Sequence, residues 1–171
     1  MTGVRFTDRD LGWKDIQKQM NILNSKVVKV GVTKEKGKEI PSGVRKDGKT
    51  TIVQYAYWNE TGVYGKSGWK IPPRPFVKGW AVAKEEEIME TLDKIGLKVS
   101  GGLLKAQTAL ESLGIYGRSG IVSFIRDSSN FIPNAPSTIK SKGSSKPLID
   151  EGFLMNAIAY EIAPKREDNI E

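Results

Sequence analysis

Apolar positions recur along the chain with two periods, and the changes of period mark its elements. Trp13, Ile16, Met20 and Leu23 are spaced by three and four residues, one stripe of a helix. Thr7, with Asp10 three residues on, supplies a helix start, so the pattern predicts a helix over about 8–23. Val28, Val30 and Val32 then alternate with Lys29 and Gly31, the period of a half-buried strand over 26–32. Residues 157–162 alternate in the same way and predict a strand that pairs with 26–32, since a strand needs an edge to join. Phe76 and Trp80, followed by Ile88, Leu92 and Ile95, predict one long helix over about 76–98 that ends near Ser100-Gly101-Gly102. Helical spacing resumes over 103–127, from Leu103, Ala106, Leu110 and Leu113 to Ile121, Phe124 and Ile125. Gly114, Gly117 and Gly120 interrupt it. They either admit a close neighbour or break the helix, and propensity favours the break, because an interior glycine costs up to about 1 kcal/mol.

The remaining segments are less regular. Thr51 to Asn59 is rich in aromatics and fits either a strand or a helix capped by Thr51 and stopped by Gly62. Residues 62–68 read as a glycine-rich loop without the pattern of a phosphate loop. Pro72, Pro73 and Pro75 fix an extended path, and Pro75 suits the first position of the following helix. Residues 130–147 are irregular, with one helical turn at 137–140; 148–156 suggests a short helix, and 164–171 a loose polar tail. The 171 residues amount to a single domain, with 33–50 as a projecting arm. That arm holds Lys34, Lys36, Lys38, Arg45, Lys46 and Lys49 and almost nothing apolar, so it cannot bury itself. It is either a surface loop or an arm that orders on a protein or nucleic-acid partner.

Composition narrows the chemistry. The chain has no His and no Cys, which excludes Ser–His and Cys–His nucleophiles, His/Cys zinc sites, iron–sulfur clusters and disulfides. Acid–base work would fall to Asp, Glu, Lys or Tyr, for instance Glu60 with Asp150 or Glu151. No stretch is apolar enough to span a membrane, and the start carries no apolar signal core. Lys and Arg number 27 against 20 acids, a net +7, which suits either weak polyanion binding or a plain basic surface. The distribution says more than the sum. Residues 26–50 carry eight bases and three acids, whereas 85–93 carry five acids, Glu85, Glu86 and Glu87 among them, and no base. Opposite faces of this kind can pair between copies.

Four ordered segments resemble one family, the neck or tail-completion proteins of long-tailed bacteriophages, including the virion-morphogenesis proteins of Mu-like phages. They are Tyr55-Ala-Tyr-Trp-Asn-Glu-Thr-Gly62; Ile71-Pro-Pro-Arg-Pro-Phe76 leading into a helix; Pro136-Ser-Thr-Ile-Lys-Ser-Lys-Gly143; and Pro147-Leu-Ile-Asp-Glu-Gly-Phe-Leu154 with Asn156-Ala-Ile158. In the last segment Glu151 and Phe153 stand where the family more often has Thr and Arg. The resemblance implies an α+β fold: a small antiparallel sheet packed by an N-terminal helix and long central helices. It also implies a non-enzymatic virion protein, made in the host cytoplasm, without a cofactor or metal. The partners expected are further copies in a six-membered ring, other neck and tail proteins such as the tail terminator and the head-closure or connector proteins, and DNA only through weak, non-specific contact. The competing reading is a nucleic-acid-binding module that uses the basic arm. Candidate contact residues are Lys34, Lys36, Lys38, Arg45, Lys46, Glu85, Glu86 and Glu87, with Arg74 and the aromatics Trp58, Trp69 and Phe76. Arg74 offers a bidentate fork to a carbonyl or carboxylate, either on a neighbour or, the favoured case, in a salt bridge within the subunit. The aromatics, Trp80 included, suit the core better than an interface.

Overall fold

The structure, a computed structural model, describes residues 12–33, 38, 50–66, 68–149 and 152–165. The expected helix start at Thr7, most of the 33–50 arm and the tail beyond Lys165 lie outside the described residues. The chain folds as α+β. Helix α1 (Trp13–Asn24) leads into β1 (Lys26–Val32), which pairs antiparallel with the last strand, β4 (Ile158–Pro164), as the alternating valines predicted. Val30 faces Tyr160 across this ladder.

The ambiguous segment is helix α2 (Ile52–Thr61). Thr51 accepts from the Gln54 backbone N–H, and the Gln54 side chain accepts from the Thr51 N–H, a capping box that decides for helix over strand. The glycine-rich stretch is a hairpin rather than a loop: β2 (Val63–Gly65) pairs with β3 (Gly68–Ile71). Gly65 and Gly68 allow the tight return, and Gly68 takes a φ of 110° that few other residues adopt.

The single helix expected over 76–98 is two, α3 (Val77–Ala83) and α4 (Glu85–Ser100), which meet at Lys84 with φ −120°. The reason lies in the phase of the apolar positions. At roughly 100° per residue, the Phe76–Trp80 pair and the Ile88–Leu92–Ile95 set point about 100° apart on one straight helix. The bend at Lys84 lets both reach the interior, and Lys84 still donates its N–H to the Trp80 carbonyl while accepting from Ile88.

Helix α5 (Ala106–Arg126) runs unbroken through Gly114, Gly117 and Gly120, so the expected break is absent. The three glycines are notches. A Cβ on Gly114 would meet the Tyr160 ring, one on Gly117 would come within 2.9 Å of Val30, and one on Gly120 within 2.5 Å of the Trp80 indole. The sheet and α3 therefore lie against the α5 backbone itself. A 3-10 turn (Ser128–Asn130), α6 (Pro136–Lys142) and α7 (Phe153–Ala157) complete the chain. The core gathers Phe76, Ile121, Ile125, Phe131, Leu154 and Ile158 between α5, α7 and the sheet. At the other end α1 grips the start of α5. Gln19 accepts the first helical N–H, that of Ala106, at 2.9 Å, and Asp15 bonds Lys105 at 2.6 Å.

Candidate assembly interface

The proline segment and its flanks form a polar node inside the subunit. Pro72, Pro73 and Pro75 hold Arg74 in an extended path, and the residue is 7% exposed. Its Nε donates to the Ile132 carbonyl at 2.9 Å, and its Nη2 donates to the Pro133 carbonyl and to Asn134 Oδ1, both at 3.2 Å. Asn134 in turn donates to the carbonyls of Ser145 and Lys146. The Arg74 backbone N–H reaches the Asn59 carbonyl at 2.6 Å. The expected salt bridge is therefore corrected: the fork stays within the subunit, but among the described residues its acceptors are carbonyl oxygens rather than a carboxylate. Burial pushes the guanidinium pKa down, partly offset by Tyr55.

Glu60 does comparable work from the end of α2. Its carboxylate accepts the backbone N–H groups of Phe76 at 2.8 Å, Val77 at 3.1 Å and Lys78 at 2.9 Å. These are orphan donors at the N-terminus of α3, where negative charge is also favoured by the helix dipole. Glu60 is thus a helix cap supplied from another helix, and both of its oxygens are engaged. Its candidate acid–base companions Asp150 and Glu151 lie outside the described residues. Glu60→Ala is expected to lower unfolding free energy by about 2 kcal/mol, the cost of removing a charged cap from several amides. Urea denaturation of the two proteins measures it, and a difference near zero would show that water caps α3 equally well.

The remaining candidate residues divide sharply. Phe76 is 2% exposed and belongs to the core, so its place among the interface candidates is corrected. Trp58 is half-buried in α2, and Trp69 lies on β3. Trp80 is half-buried, its ring 6.0 Å from that of Tyr116. Lys38 is exposed, while Lys34, Lys36, Arg45 and Lys46 lie outside the described residues.

Glu85, Glu86 and Glu87 occupy the exposed first turn of α4. Glu87 is already engaged: it accepts from Lys84 Nζ at 2.9 Å and from the Tyr116 hydroxyl at 3.0 Å. The Lys84 bond, then that of Tyr116, holds the Glu87 carboxyl below its ordinary range. Burial, then the bond to Glu87, pushes the Tyr116 hydroxyl up. Glu90 pairs with Lys94 at 2.8 Å. That leaves Glu85, Glu86 and Asp93 as the uncompensated acids of this face among the described residues.

Between β1, α4 and α5 runs a largely apolar groove of about 490 Å³, whose lining includes Leu23, Lys26, Leu110, Leu113 and Gly117. Beside it Met89 and Leu97 of α4 stand exposed, Leu97 at 72%. The α4 stripe carried the signal, but periodicity alone does not say whether a stripe is covered.

Among the described residues there is no group of three or more acidic, His or Cys side chains placed to hold a metal, and no helix long and apolar enough to cross a membrane. No family model, curated protein or solved structure matches the chain.

Proposed function

We propose that this chain is a structural subunit of the neck of a long-tailed bacteriophage, a tail-completion protein that forms a ring at the head–tail junction and helps join tail to head without catalysis. One observation carries the reading: three of the four segments that resemble the family meet around Phe76, and the second also reaches the stretch just before the third. Glu60 of the first segment caps the helix that the second begins. Arg74 of the second spans to residues 132–134, just before the third. Leu148 and Leu154 of the fourth share the core with Phe76. Motifs far apart in sequence that interlock in this way behave as parts of one fold, which supports a likeness of the whole chain rather than of isolated tripeptides.

Ring closure needs a heterologous contact, one face of a subunit against a different face of the next. The exposed acids Glu85 and Glu86 supply one face, and the base-rich 26–50 stretch of the sequence is the candidate for the other. Reversing both acids, Glu85→Lys with Glu86→Lys, is expected to weaken assembly at least tenfold near 0.1 M salt. The subunit should stay folded, because neither side chain bonds another described residue. Light scattering and negative-stain electron microscopy of wild type and variant read both effects. Rings unchanged in the variant would remove the charge pairing, and wild-type protein that never forms rings would remove the neck assignment. Duplex binding much tighter than about 1 µM at physiological salt would point instead to the nucleic-acid module.

A further inference from the structure

The groove between β1, α4 and α5 is polarised along its length. Val30 packs on Gly117 of α5, so the even-numbered side chains of β1 face that helix. Lys26 is the charged residue of this face, and it lines the groove together with Val28 and Val30. From Lys26 to Val30 the strand advances roughly 13 Å, so the lysine and the Gly117 notch mark opposite ends of that wall. Lys26 is half-buried, and among the described residues its ammonium has no ion-pair or hydrogen-bond partner. The lining holds no acid. The Tyr116 hydroxyl at the far end is committed to Glu87. Ile88, Leu92 and Ile95 of α4, with Leu110 and Leu113 of α5, make the rest of the walls aliphatic. The cavity of about 490 Å³ lies within the roughly 300–1,000 Å³ typical of binding clefts.

We infer that this groove binds a free single-chain aliphatic carboxylate, its chain laid along β1 and its headgroup at the Lys26 ammonium. An apolar wall that ends in one unpaired base matches an apolar chain that ends in one negative charge. A cationic chain of the same length would bring like charge to Lys26 and find no acid in the lining. A second copy is a poor occupant. An inward-pointing charge is one of the means by which a sheet edge refuses another strand, and Lys26 is placed as such a charge. Two β1 edges paired antiparallel about Val28 would set each Lys26 against a valine of the other copy; paired about Lys29, they would set lysine against lysine. The inference goes beyond the neck reading and does not require ring formation.

The test is isothermal titration of the full-length protein with three ligands. Decanoate and decylamine share a chain length and differ in charge, and butyrate keeps the charge but lacks most of the chain. Decanoate is expected to bind at least tenfold more tightly than either of the others. Lys26→Met keeps an apolar stem and removes the charge, so it should weaken decanoate at least tenfold and leave decylamine no weaker. Gly96→Phe fills the groove from α4, where an added side chain enters open space, and should also weaken decanoate at least tenfold. Circular dichroism reads the folding of both variants separately. The three ligands on wild-type protein keep the test decisive even if a variant fails to fold. No decanoate binding at millimolar concentration, equal binding of decanoate and decylamine, or binding unchanged in folded Lys26→Met or Gly96→Phe overturns the inference. So does a wild-type dimer that Gly96→Phe dissolves, since a second copy would then be the occupant. Rings that persist in Gly96→Phe while decanoate binding is lost would separate this site from the assembly contact.

Discussion

Gly114→Ala is expected to cost about 3 kcal/mol, at the upper end for overpacking a core. The new methyl would land on the body of the Tyr160 ring, against Cγ, Cδ2 and Cε2, not on a flexible tip. The ring has little room to retreat, because Tyr160 faces Val30 in the ladder and Val30 fills the next notch at Gly117. Helix propensity works the other way, since alanine gains up to about 1 kcal/mol over glycine. Gly96→Ala isolates that opposing gain. Gly96 lies inside α4, and no neighbouring element comes within 4 Å of the place an alanine methyl would take. This change should therefore stabilise by up to about 1 kcal/mol. Urea denaturation of both variants gives the two signs. If Gly114→Ala proved as benign as Gly96→Ala, the notches would not be sites of close packing.

Arg74→Ala should destabilise by about 3 kcal/mol, because two carbonyls and the Asn134 amide oxygen lose one shared donor in a largely buried place. Arg74→Lys should cost nearly as much. An ammonium is a single point on a flexible stem and cannot reproduce the planar fork that spans residues 132–134. Thermal and urea unfolding decide it; wild-type stability in the lysine variant would show that only the charge matters. The loss should appear in the isolated subunit, where an interface arginine would leave stability unchanged.

Much of the fold was legible because its signals are local. The alternating valines of β1, the stripe of α1 and the glycines closing α4 each act within a few residues. The capping box of Thr51 and Gln54 was legible in principle, but the aromatic composition of α2 pulled equally toward a strand. The three glycines of α5 misled because propensity counts only what a glycine costs its own helix, while their worth lies in what Tyr160, Val30 and Trp80 place against them. The bend at Lys84 was hidden in the phase between two apolar sets rather than in any breaker residue. The candidate site divided along the same line. Exposure of Glu85 and Glu86 followed from the run of acids in which they lie, whereas the partners of Arg74 and Glu60 depend on residues far away in sequence and had no local sign.

The pairing of β1 with β4 also governs how the polypeptide can be made. These strands are separated by almost the whole chain, so closing the ladder carries the entropic cost of a very long loop and tends toward slow folding. During synthesis α1, β1 and α5 emerge well before their last partner. The Gly114 notch stays unfilled until Tyr160 leaves the ribosome, and until then the apolar flank of β1 is open on both sides. Native packing is therefore completed only once β4 has emerged, and a subunit truncated within β4 would be a ready substrate for quality-control proteases.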